Sequence, residues 1–199
     1  DRKMMIIPTI IPRKHMNVLD VGAGEAWAMK YFINKECNYF AIEAVPRLAD
    51  SINSRGGVVI GKDVYEDQSE NNSFFDIIIF RHVIEHLLDP KSALRKLRNL
   101  LSKDGSIYLA LPNAGKLPKN VGLKNINKKG FRTSIIRPVH ISNFHLDNVL
   151  RIADEAGLAP VEQDDSGEIY LLLQRSISSK KQYANHYVEQ RNLFVSTAK

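Results

Sequence analysis

At 199 residues the chain is one domain's worth of sequence, long enough to bury a core without disulfides or a structural metal. Hydrophobic residues at 44% and charged residues at 25% exclude a disordered class, and a single cysteine, Cys37, excludes an internal disulfide or a CxxC metal site. The net charge of +6 favours anionic partners.

The opening Met4-Met5-Ile6-Ile7 is broken by Pro8 and Pro12 and runs into Arg13-Lys14-His15. It is too short for a signal peptide or a membrane span. The cysteine usage fits a reducing, cytoplasmic setting. The chain opens on Asp1 and not on Met, which leaves open whether residues precede it.

Residues 17–21 read as a first strand and 25–36 as a helix, followed by a strand over 39–45, a helix over 47–55 and a strand over 58–60. Residues 75–80 are apolar enough to be a strand buried on both faces. Asp89 suits a helix N-cap and Pro90 the first helical position, with Leu94, Leu97 and Leu101 on one stripe and Gly105 as the stop. A fifth strand over 106–111 ends at Pro112-Asn113. Residues 112–141 lack periodicity and form a long loop. Ser142 or Asn143 caps a helix reaching Ala156, and Gly157 ends it. Two last strands, 158–163 and 168–175, flank the polar turn 164–167. This alternation predicts a parallel sheet with helices on both faces.

From Gly105 to Leu146 there is no Asp or Glu, whereas Lys116, Lys119, Lys124, Lys128, Lys129, Arg132 and Arg137 all fall there. Such a segment concentrates anions, though a solvated basic loop would look the same. Phe131 is its main stacking aromatic, which disfavours nucleic acid as the partner.

Between the first strand and helix, Asp20-Val21-Gly22-Ala23-Gly24 forms a tight turn at the sheet's carboxyl edge, where a backbone can approach a ligand. A dinucleotide site would want a third glycine at Trp27, where bulk is placed instead. A carboxylate beside the turn suits a cationic ligand. Glu43 and Asp63 end the next two strands, so three acids line successive strand ends.

The turn resembles the D-x-G-x-G turn of class I S-adenosylmethionine-dependent methyltransferases. Residues 75–90, with Arg81-His82-Val83-Ile84-Glu85-His86-Leu87-Leu88-Asp89-Pro90, closely resemble a segment shared by methyltransferases of quinone, antibiotic and cell-surface sugar biosynthesis. Residues 101–113 and Val139-His140-Ile141 are similar to that group's later blocks. The resemblance spans about residues 17–175 and implies a Rossmann-like, doubly wound, seven-stranded and mostly parallel sheet with an antiparallel last strand.

It also implies S-adenosylmethionine as cofactor, S-adenosylhomocysteine as product and methyl transfer as the reaction. By the same resemblance Asp20, Gly22 and Gly24 hold the methionine part, Glu43 the ribose, Asp63 and Val64 the adenine, and Arg81 lies near the methyl group. Histidine titrates near neutrality, which nominates His82 or His140 as general base, with His86 second. The expected organisation is a leader over 1–16, the catalytic domain over 17–175 with its acceptor-side loop at 112–141, and a polar tail over 176–199. The expected acceptor is a small anionic molecule, such as a phosphorylated or nucleotide-linked sugar or a carboxylate.

Three rivals fit less of the sequence. His82-x-x-Glu85-His86 also spells the inverted zinc-protease motif, which belongs on a helix and not at the exit of a buried strand. Certain metal-dependent RNA 2′-O-methyltransferases resemble this region, with an acid, a Glu-His pair and a later histidine as ligands. Here His82 replaces the first acid, while Glu85, His86 and His140 are retained; no resident metal is assigned. A non-catalytic cofactor-binding or partner domain is the third rival.

Overall fold

The structure is a computed structural model in which residues 10–116 and 140–176 are described. The elements run β1 (Asn17–Val21), α1 (Met29–Ile33), β2 (Asn38–Ile42), α2 (Pro46–Ser54), β3 (Val58–Gly61) and β4 (Phe75–Arg81). Then follow α3 (Pro90–Leu100), β5 (Leu101–Leu111), α4 (Leu146–Glu155), β6 (Leu158–Asp164) and β7 (Ile169–Arg175).

The strands form one seven-stranded sheet in the order β3-β2-β1-β4-β5-β7-β6. β1 to β5 pair in parallel, and β7 runs antiparallel to both β5 and β6. The expected doubly wound sheet with its antiparallel strand is therefore the one observed. Alternate strand residues feed two cores. Leu19, Ile78, Phe80, Ile107 and Leu109 pack against Leu94 and Leu97 of α3 and Val149 and Ala153 of α4. On the opposite face Val18, Ala41, Ile77, Ile79 and Tyr108 pack against Met29 and Phe32 of α1 and Ile52 of α2. β4 is buried along its centre because helices cover both of its faces.

Several boundaries differ from the sequence expectation, among them β2, which ends at Ile42 and not at residue 45, and β5, which begins at Leu101 and not at residue 106. The helix expected over 25–36 is only Met29–Ile33, because Ala26 takes a left-handed φ of 49° and the chain turns there before the helix begins. α3 starts as expected, with Asp89 Oδ1 accepting from Ser92 N at 2.9 Å, but it ends at Leu100 and Gly105 does not stop it. Gly105 instead lies in an irregularity where β5 shifts register against β4, and a Cβ there would stand 2.6 Å from the carbonyl oxygen of Phe75. α4 begins after His145, later than the expected cap at Ser142 or Asn143, because Phe144 is held in a bridge to Asn113.

Among the described residues no helix is long and apolar enough to cross a membrane. Most of the expected leader, the loop residues 117–139 with Phe131 and all its cations but Lys116, and the tail from 177 lie outside the described residues.

Candidate functional site

The strand order reverses between β1 and β4, each connection leading away to opposite sides of the sheet. At such a switch point the loops after the two strands part and leave a crevice at the carboxyl edge. The glycine turn follows β1 there, and Arg81 and His82 end β4 beside it.

Gly22 and Gly24 have φ of +66° and +56°, which a side chain would strain. A Cβ on Gly22 would also stand 2.6 Å from Val83 Cγ2, so the turn and the β4 exit are packed backbone against side chain. A Cβ on Gly24 would meet nothing within 4 Å, so this glycine faces open space. Gly22 N donates to Ile42 O at 2.8 Å, tying the turn to β2. Glu43, buried at that strand's end, accepts from Gly24 N at 2.7 Å through Oε2 and from Val45 N at 2.8 Å through Oε1. Its carboxylate is thus clamped with the turn and the β2 exit in one unit.

Asp20 is buried and accepts a hydrogen bond from the Tyr39 hydroxyl. Burial pushes its carboxyl up to about 6; the Tyr39 bond opposes this, and the nearby Glu43 adds to it. Tyr39 in turn is held protonated by burial and by that carboxylate. Asp63 accepts from Tyr65 N at 2.8 Å, and Val64 is buried beside it. Two buried carboxylates, Asp20 and Glu43, beside an open glycine turn suit a cationic nucleoside, since sulfonium and ammonium charges offset the cost of burying them. The residues present fit the cofactor.

At the exit of β4, His82 adopts a left-handed φ of 53° while its N–H still donates to Ala110 O at 2.8 Å. That conformation turns the side chain aside as β4 ends. Its Nδ1 lies 3.3 Å from Glu85 Oε1 and its Nε2 3.1 Å from Glu168 Oε1. The Glu168 and Glu85 carboxylates hold the imidazole's proton and raise its pKa to about 9, against burial, while His82 keeps Glu168 below the usual carboxylate range. Glu168 also accepts from Arg81 Nη2 at 3.3 Å, and the Arg81 guanidinium sits 5.8 Å from the centre of the Trp27 ring.

Glu85 O accepts from Ile141 N at 2.9 Å and Ser142 N at 3.1 Å, which pins residue 140 against the β4 exit. The His86 and His140 rings consequently meet edge to face, 4.9 Å between centres. Asn113 closes this corner: its Oδ1 accepts from Gly115 N at 2.8 Å and its Nδ2 donates to Asp165 O at 3.1 Å.

The structure therefore gathers Asp20, Gly22, Gly24 and Glu43 at the turn, and Arg81, His82, His86 and His140 beside it. Sequence reasoning missed Glu168 and Asn113. Glu168 carried only a weak signal, an acid after the turn 164–167, because its partners lie 86 and 87 residues away. A groove of about 640 Å³ lies elsewhere, among Met16, Asp76, Ser102 and Asp104 at the amino ends of the strands. It is remote from these side chains and on the edge where such sheets do not bind ligands.

Residues 5–163 match the model of a family described as a methyltransferase domain. The chain belongs to this family. No curated protein matches it. Among solved structures, an S-adenosylmethionine-dependent methyltransferase from Mesorhizobium loti is 10% identical, with TM-score 0.67 over 86% of this chain and 96% of that one. A TehB-like methyltransferase from Corynebacterium glutamicum is 17% identical, with TM-score 0.61 over 86% of each chain. The 1,6-didemethyltoxoflavin-N1-methyltransferase of Burkholderia thailandensis, solved with 1,6-didemethyltoxoflavin and S-adenosylhomocysteine, is 16% identical, with TM-score 0.61 over 82% of this chain and 72% of that one. At these identities the likeness is one of fold. The methyltransferase domain is an S-adenosylmethionine-dependent enzyme, with S-adenosylmethionine as its cofactor.

Proposed function

We propose that the domain methylates a small anionic acceptor, on a hydroxyl or amine of a sugar or similar biosynthetic intermediate, at the corner where His86 and His140 meet. The observation that carries this is the pinning of His140 against His86 at the exit of β4, next to the glycine turn. The acid-free segment with its lysines and arginines supports an anionic acceptor.

Bound S-adenosylmethionine supplies an electrophilic methyl on a sulfonium that leaves as a neutral thioether. Asp20, Gly22 and Gly24 orient its methionine part, Glu43 its ribose, and Asp63 with Val64 its adenine. Arg81 and His82 would lie near the methyl. The acceptor's nucleophilic atom would take that methyl, and an imidazole of this chain would take the acceptor's proton. His82 is held between two carboxylates, and His140, with His86 second, is assigned that task because the two rings meet at the proposed acceptor corner. Glu168, itself bonded to His82, holds Arg81 in place.

Calorimetry with S-adenosylmethionine and S-adenosylhomocysteine, followed by labelled-methyl transfer across acceptor classes, tests the proposal. His140→Ala or His86→Ala is expected to keep cofactor affinity and lose turnover by about 10²-fold or more. Full turnover in both variants would remove the base. Reversing Lys128 and Lys129 to Glu is expected to raise KM for anionic acceptors, and a salt-insensitive preference for neutral ones would refute the acceptor class.

A further inference from the structure

We propose that Glu85, His86 and His140 form a binding site for a divalent transition-metal ion of the zinc type. A carboxylate oxygen and one ring nitrogen from each histidine all lie within 4.8 Å of one another. Ligands on such an ion stand roughly 3.3 Å apart, given bonds near 2.1 Å, so modest side-chain rotation closes the set. The backbone has already done the harder part. Two amides from residues 141 and 142 bind the carbonyl of Glu85, fixing a histidine 54 positions along the chain beside the other two ligands.

A second, independent observation points the same way. Glu85 is only 2% exposed, and its Oε2 has no hydrogen-bond partner. A carboxylate oxygen shut away from water without a partner is costly, and a cation bonded to it removes that cost. Its other oxygen is held by His82, itself held by Glu168, an outer contact of the kind that orients a ligating carboxylate. His86 and His140 are half-buried, so the set is closed behind Glu85 and accessible from the acceptor side. Three protein ligands with an accessible side are the arrangement of catalytic zinc sites, and two imidazoles disfavour magnesium and calcium.

An ion there would bind an acceptor hydroxyl and ease loss of its proton to solvent, in place of proton uptake by the imidazoles. That role rests on the methyl-transfer reading above; the ion site does not.

The full chain, stripped with EDTA and dialysed, is titrated with CoCl₂ while visible d–d absorption is followed, and with ZnCl₂ by calorimetry. S-adenosylmethionine binding is measured on the same samples. One equivalent of Co²⁺ is expected, with affinity falling at least about tenfold in each of Glu85→Gln, His86→Ala and His140→Ala. Unchanged cofactor affinity in the histidine variants shows that they fold, and if Glu85→Gln does not fold, the two histidine variants decide. No saturable Co²⁺ uptake, or undiminished uptake in the His86→Ala/His140→Ala double variant, overturns the site. Cobalt uptake without cofactor binding would sink the proposed function and leave the metal site; cofactor binding without cobalt uptake does the reverse.

Discussion

Gly22 and Gly24 share a left-handed backbone, yet their surroundings assign them different work. Gly22→Ala would drive a methyl into Val83 and is expected to cost about 2–3 kcal/mol of stability. Gly24→Ala meets no protein atom and is expected to cost about 1 kcal/mol while weakening S-adenosylmethionine more than Gly22→Ala does. Thermal melts and calorimetry on both variants check the crossover, and parallel losses would contradict it. Asp20 gives a pH signature. Its carboxyl stands near 3.8 unfolded and about 6 folded, facing Tyr39 and Glu43, so the native state binds more protons between those values. Its contribution is complete below pH 3.8 and is lost as pH rises through about 6. Asp20→Asn is expected to remove that decline, on the order of 3 kcal/mol, when melts at pH 4 and pH 7 are compared. An unchanged slope would place the proton elsewhere.

The elements were legible where their cause is local. Asp89 caps α3 through Ser92 N, and Asp89→Ala is expected to lower stability by about 1 kcal/mol in chemical denaturation without altering cofactor binding. The apolar stripe of α3 and the alternation in β7 follow from periodicities of 3.6 and 2, which a sequence displays directly. Ends set by distant partners were not legible. Gly105 looks like a helix stop in sequence, and only the carbonyl of Phe75, thirty residues earlier, shows that close strand approach is its reason. The left-handed Ala26 likewise shortens α1 with no warning from propensity, since alanine is the best helix former.

Across the whole molecule, Glu168 is the joint between the last hairpin and the site. It holds His82 and Arg81, and Arg81 lies over Trp27, the chain's only tryptophan. Trp27 emission therefore reports on the cofactor turn. Uptake of S-adenosylmethionine is expected to change that emission, and Glu168→Ala to shift the unliganded spectrum by freeing Arg81. An unliganded spectrum indifferent to Glu168→Ala would mean that the ion pair does not hold the guanidinium over the ring. The sequence by itself determined the sheet, the glycine turn with its acids and the methyltransferase resemblance, because contiguous residues share strand ends and turns. Only the tertiary structure decided that His82 is bound between two carboxylates and that His140 meets His86. Those contacts join segments dozens of residues apart, and their closeness follows from strand order and backbone pinning, which no local pattern encodes.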